Sequence, residues 1–189
     1  MSALAVVPRE AGLAAVASGE PGADERFYRQ WAETVLRWVL RLGGPALDHE
    51  DVAQTVLLTA LSRAGTWRGG NERAWVFGVT RGVVANARRR AWLRRVVGLD
   101  TVAEPVAADL TDEVAVARQR RRLVQEALEA LPAAQREVIV LADLEGHTAP
   151  EVAEMLQIPV GTVYSRQHAG RRALGARLAA LAEPPGRSR

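Results

Sequence analysis

Residues 149–174, APEVAEMLQIPVGTVYSRQHAGRRAL, constrain the fold of this chain more tightly than any other stretch. Acidic and apolar residues at helical spacing run to Leu156, the segment Ile158-Pro159-Val160-Gly161 breaks the helix, and the remainder carries Arg166, His168, Arg171 and Arg172 with no acid. The pattern predicts a helix over about 150–156, a short turn and a second helix over about 161–174, which is a helix-turn-helix. Val152, Ala153 and Leu156 supply the inner face of the first helix, Ile158 fills the corner, and Val163 anchors the second. The outer face is left with Thr162, Tyr164, Ser165, Arg166, His168, Arg171 and Arg172. Free amides at a helix start suit phosphate, and guanidinium groups can reach base edges in the major groove.

The rest of the chain is helical by the same criterion, because no segment alternates as a strand does. In DERFYRQWAETVLRWVLRL, residues 24–42, Phe27, Trp31, Val35, Trp38 and Leu42 fall on one face and GGP ends the pattern. In DHEDVAQTVLLTALSRA, Asp48 is the expected N-cap and Ala53, Leu57, Leu61 and Ala64 the buried stripe. A Gly-rich loop, TWRGGN, leads to a third helix capped by Asn71, with Trp75, Val76, Val79 and Val83 expected inside. Gly78 and Gly82 lie in that helix, where each costs about 1 kcal/mol relative to Ala, so close backbone packing is expected there. LPAAQREVIVLADLEG, residues 131–146, reads as a further helix stopped by Gly146.

Charge divides the chain into blocks. All 25 basic residues are arginine, and counting Arg against Asp plus Glu gives +8 over 63–95, −5 over 96–117 and +4 over 158–182. Two arginine-rich blocks suggest two contacts with a polyanion. The predicted architecture is all-α: a mobile N-terminal tail 1–23, a helical domain 24–96, a flexible acidic linker 97–113, a helix-turn-helix domain 114–182 and a C-terminal tail 183–189. Each domain is small enough for one core to give modest stability, so docking onto a larger partner would help both.

Several classes are excluded or disfavoured. There are no cysteines, so disulfides and thiolate metal sites are excluded. The three histidines are far apart, and His49-Glu50-Asp51 points around a helix rather than at one ion, so no metal site, cofactor or catalytic residue is expected. The N-terminal stretch makes a poor secretory signal, and no run approaches the roughly 20 apolar residues that span a bilayer.

The segment LPAAQREVIVLADLEGHTAPEVAEMLQIPVGTVYSRQHAGRRAL resembles region 4 of the extracytoplasmic-function (group IV) sigma factors of bacterial RNA polymerase. Leu131, Pro132, Arg136, Val138, Leu141, Glu145, Gly146, Glu151, Ala153, Leu156, Ile158, Pro159, Gly161, Thr162, Val163, Ser165 and Arg166 meet the family pattern. DHEDVAQTVLLTAL similarly resembles region 2.2, and WRGGNERAWVFGVTRGVVANARRR the part of region 2 that follows. Gly82, Asn86, Gln157, Tyr164, His168 and Ala169 depart from the family's usual residues, so the resemblance implies a class and not a promoter preference.

The resemblance implies a non-enzymatic, cytoplasmic initiation factor that directs core polymerase to promoters. Region 4 would read the −35 element through the outer-face residues above. Region 2 would bind and melt the −10 element, with Trp67, Arg68, Arg81, Asn86, Arg88, Arg89 and Arg90 as candidates; unpaired bases call for basic groups beside stacking surfaces. Asp51 and Gln54 would dock on the β′ clamp, and region 4 on the β flap. Family members are commonly held by an anti-sigma factor, a further partner the resemblance implies. Two other readings compete: a stand-alone helix-turn-helix regulator, which needs only the C-terminal basic block, and an enzyme carrying a DNA-binding tail.

Overall fold

The computed structural model describes residues 12–98 and 112–182, with backbone alone over 112–118 and at 182. Every regular element among the described residues is helical. A short α1 (Leu13–Ala17) precedes α2 (Ala23–Gly43), α3 (His49–Arg63) and α4 (Glu72–Val96), and a single 3₁₀ turn over Ala64–Thr66 opens the loop between α3 and α4. After the undescribed stretch, which contains most of the expected linker, come α5 (Asp112–Glu129), α6 (Ala133–Ile139), α7 (Ala149–Leu156) and α8 (Val160–Ala182). The expected C-terminal tail lies outside the described residues.

The first module is built on the stripe of α2. Phe27, Trp31, Val35, Trp38 and Leu42 are all buried, as their spacing predicts. Their rings step across the module: Trp31 lies 6.1 Å from Trp38, whose ring meets Phe77 of α4 edge-on at 5.0 Å. Edge-on pairs of this kind add about 0.5–1.5 kcal/mol beyond area burial. Asp48 caps α3 by accepting from the Asp51 amide at 3.1 Å, and Asn71 caps α4 by accepting from the Ala74 amide at 3.0 Å. In α4 the buried face is rotated from the predicted one, with Phe77, Thr80 and Val84 inside and Trp75 and Val83 only half-buried. Thr80 is tolerated there because its hydroxyl donates to the Val76 carbonyl at 2.9 Å.

Two expectations about this module are corrected. Residues 12–23 are not a mobile tail: Leu13 is fully buried, and its amide donates to Glu72 Oε2 at 3.0 Å while the Trp31 indole donates to Glu72 Oε1 at 2.8 Å. One carboxylate thus ties α1 and α2 to the start of α4. Nor do Gly78 and Gly82 pack against backbone; a methyl group added at either would meet nothing within 4 Å. Both line an open groove of about 450 Å³ between α3 and α4.

In the second module, α6 does not run unbroken to Gly146. It widens into a π turn over Val140–Leu144, in which the Glu145 amide donates to the Val140 carbonyl at 3.0 Å. Gly146 at φ 79° then turns the chain into α7. Helix α8 crosses α6 so closely that a methyl group at Gly170 would stand 2.7 Å from Ile139 Cγ1. Glycine is the residue this crossing admits.

The modules are not separate bodies. Val138, Val140, Leu141, Val152, Met155, Leu156 and Val163 belong to the same apolar cluster as Phe27, Trp38 and Phe77. Helix α7 packs on α4, and the end of α5 packs on α2. Two cores of modest size each leave apolar surface uncovered, and here each module covers the other's.

Candidate nucleic-acid and polymerase interface

The helix-turn-helix is assembled by local chemistry. Thr148 and Glu151 form a capping box at the start of α7, with the Thr148 amide 2.7 Å and its hydroxyl 2.8 Å from Glu151 Oε2. These bonds hold the Glu151 carboxyl below the usual carboxylate range. Helix α7 ends at Gln157, which takes the left-handed conformation at φ 54°, a position that favours glycine. Val152, Ala153, Leu156 and Val163 are buried and Ile158 packs against them, as the sequence predicts.

On α8 the predicted reading residues do share the outer face. Tyr164, Ser165, His168, Arg171 and Arg172 are exposed, and Thr162 and Arg166 are half-buried at its edge. Ser165 spends its proton on the Thr162 carbonyl at 3.0 Å. Arg171 is engaged: its Nε and Nη2 grip the two oxygens of Asp143 at 2.9 and 2.6 Å, and Gln167 adds a third bond at 2.7 Å. Hydrogen bonding from Arg171 foremost keeps the Asp143 carboxyl below its ordinary range. Asp143 sits on the π turn, a feature no sequence pattern announced.

The region 2 candidates divide into three groups. Trp67, Arg68 and Arg81 line one cavity of about 550 Å³, whose far wall is Glu154, Met155, Leu156 and Gln157 of α7. Trp67 is not presented for stacking; it is half-buried beneath the loop with its indole N–H enclosed. Asn86 and Arg90 lie on the second groove, facing Asp51 and Thr55 of α3, and Arg89 Nη2 donates to Asn86 Oδ1 at 3.0 Å. Arg88 turns inward: its Nη1 caps the end of α2, 2.9 Å from the Gly43 carbonyl and 3.3 Å from that of Leu42. A cation at a helix C-terminus is well placed, which accounts for its burial.

Asp51 and Gln54 are exposed on α3, and one turn further along the same face stands Leu58, 59% exposed. Periodicity assigns a lone leucine to a core as readily as to a surface, so an apolar side chain on this polar face has no signature in the residue spacing.

Sequence reasoning also missed the seam. Glu145, its side chain only 8% exposed, accepts from Arg37 at 3.5 Å and is in contact with Arg41, both on α2. Arg81 pairs with Glu137 at 3.5 Å and Arg88 approaches Glu129 at 3.6 Å. Burial pushes the Glu137 carboxyl up despite the neighbouring Arg81 and Arg166. Arg136 is buried with four carbonyl partners, those of Leu128, Leu42, Glu129 and Leu131, all within 2.8–3.0 Å. Burial, with Arg88 nearby, lowers its pKa to about 10.

Comparisons with known proteins match this architecture. Residues 27–94 match the model of sigma-70 region 2, and residues 121–174 match that of sigma-70 region 4. The chain is 35% identical over 168 residues to the ECF RNA polymerase sigma factor SigL of Mycobacterium tuberculosis, covering 87% of this chain and 93% of that one. It is 30% identical over 156 residues to the ECF RNA polymerase sigma factor SigE of Mycolicibacterium smegmatis, covering 82% of this chain and 60% of the relative. In fold it is similar to CnrH in complex with the cytosolic domain of CnrY, at a TM-score of 0.66 and 23% identity over 90% of this chain and 99% of that one. It is also similar to the sigma factor RpoE of Bartonella quintana in complex with the anti-sigma factor NepR, at 0.61 and 21% over 86% and 99%. No helix among the described residues is long and apolar enough to cross a membrane. With both promoter-recognition regions present in order and an ECF relative matched over most of both chains, the protein belongs to the ECF sigma factors, the non-enzymatic subunits that bind RNA polymerase to initiate transcription.

Proposed function

We propose that the two basic surfaces divide promoter recognition between them. In this reading, residues 24–96 form the −10 module and residues 114–182 the −35 module. Arg68, Arg81, Asn86, Arg89 and Arg90 hold the melted −10 strand, joined by Arg88 once it leaves the carbonyls of α2, while Trp67 supports the loop of Arg68 from beneath. Thr162, Tyr164, Ser165, Arg166, His168, Arg171 and Arg172 read the −35 duplex. Asp51 and Gln54, with Leu58 as an apolar anchor, dock on the β′ clamp, and the second module docks on the β flap. The protein acts in the cytoplasm, and an anti-sigma factor is its proposed regulator, a reading supported by the partner named for the Bartonella neighbour.

The observation that carries this assignment is the outer face of α8, where hydroxyls, an imidazole and guanidinium groups are exposed together on a helix with no acid of its own. Run-off transcription with purified core polymerase tests it. Specific initiation is expected only when this protein is added, and duplex binding without initiation would favour a stand-alone regulator.

A further inference from the structure

We propose that the cleft between α4 and α6 is a binding site for a small phosphate-class anion, gripped by Arg81, Arg88 and Arg136. Leu42, Val84 and Ala133 supply apolar walls, the Glu137 carboxylate faces the three arginines, and the volume is about 320 Å³. That is the lower end of the range for small-molecule sites.

The cations lining this cleft lack a matching counter-charge. Arg136 Nη1 and Arg88 Nη1 donate to the same Leu42 carbonyl, at 3.0 and 3.3 Å, which brings two guanidinium groups together in a partly buried place. Like charges held so close and so poorly hydrated repel strongly. Arg136 registers this, since burial first and Arg88 next lower its pKa to about 10. The carboxylates at hand stand off: Glu129 is 3.6 Å from Arg88 Nη2 and Glu137 is 3.5 Å from Arg81 Nε, both longer than a normal hydrogen bond. Three arginines against two glutamates leave an excess of positive charge.

Their donors are also in surplus. Arg88 commits Nη1 to the carbonyls of Leu42 and Gly43, while its Nε and Nη2 make no hydrogen bond among the described residues. Arg81, its side chain 44% exposed, makes none either. Arg136 keeps one Nη1 hydrogen beyond its four carbonyl bonds. Leftover donors converging from three guanidinium groups suit the several oxygens of a phosphate better than the two of a carboxylate. The Glu137 carboxyl, pushed up chiefly by burial, is the group an entering anion displaces from Arg81. Its charge therefore opposes binding.

Titration calorimetry of the full-length protein with pyrophosphate, at constant ionic strength so that screening does not change, tests the site. Saturable binding of one anion per chain is expected, with a rise in melting temperature. Arg81→Gln removes no hydrogen bond within the chain and should weaken binding about tenfold through loss of charge-assisted contacts. Glu137→Gln should tighten it. Arg177→Gln, an exposed arginine near the end of α8 and outside the cleft, should leave the affinity unchanged. Each variant is first melted without ligand, and the comparison uses those that melt as wild type does. Absence of saturable binding, equal losses in Arg81→Gln and Arg177→Gln, or weaker binding by Glu137→Gln would overturn the proposal, the second outcome marking diffuse attraction to an arginine-rich chain. Adenosine diphosphate separates the sources of the phosphate: tighter binding than pyrophosphate identifies a nucleotide held along the apolar walls, and equal binding identifies the free anion. Neither promoter nor polymerase enters the measurement, so the result is independent of the promoter assignment.

Discussion

Arg136 Nη1 donates to the Leu42 carbonyl at 3.0 Å across a separation of 94 residues. The same carbonyl accepts from Arg88 at 3.3 Å, so the end of α2 is capped by one arginine from each module. Within its own module Arg136 also gathers the carbonyls of Leu128, Glu129 and Leu131, which end α5 and start the turn into α6. One side chain therefore finishes two helices and joins two modules.

Replacing Arg136 by methionine should cost about 3 kcal/mol, because the carbonyls of Leu128, Glu129 and Leu131 lose their arginine donor in a buried site and that of Leu42 keeps only Arg88. Arg136→Lys should recover only part of that loss, since an ammonium lacks the planar fork that spans separate acceptors. Urea unfolding followed by circular dichroism measures both; equal stability of the methionine variant and wild type would refute this role.

The glycines of α4 and α8 should respond in opposite directions. Gly82→Ala adds a methyl group into open groove and should stabilise the protein by about 0.5–1 kcal/mol through helix propensity. Gly170→Ala drives a methyl group against Ile139 and should destabilise by about 1–3 kcal/mol. Thermal melts of the two variants decide the matter by sign alone.

Acid should release α8 from the π turn. The Asp143 carboxyl is held below its ordinary value, chiefly by the Arg171 hydrogen bond, so its folded pKa lies under its unfolded one. The stability it contributes is therefore present above the ordinary carboxylate pKa of about 4 and is lost as pH falls through the depressed value. Asp143→Asn should flatten that part of the acid limb in a pH series of melting temperatures.

Arg166→Ala should weaken −35 duplex binding and reduce the log–log salt slope by about 0.9, the signature of one lost phosphate contact. Arg171→Ala should weaken it less, because its guanidinium is already shared with Asp143. Fluorescence anisotropy over a salt series separates the two.

The helices and both N-caps were legible because they depend on spacing and on residues within one turn of each other. Phe27, Trp31, Trp38, Val163 and the break at Pro159 all follow from local pattern. What escaped was the relation between modules. Glu145 and Arg41, or Arg136 and Leu42, are brought together only by tertiary packing, and nothing in the spacing of either residue points to the other. Trp67 shows the same limit: it was offered as a stacking surface for unpaired bases, but the apolar cluster beneath its loop took the ring. Gly78 and Gly82 were misread for the opposite reason, since a glycine in a helix marks close packing or an open channel equally well.

The π turn over Val140–Leu144 sets an angle as well as a contact. Each residue of a regular helix advances the azimuth by about 100°, so removing one residue to restore regular pitch would swing everything after it by that amount. The DNA-facing side of α8 would then be aimed elsewhere with its own sequence unchanged. The aim of this molecule's reading head is thus fixed upstream of the residues that do the reading, by one widened coil that contains none of them.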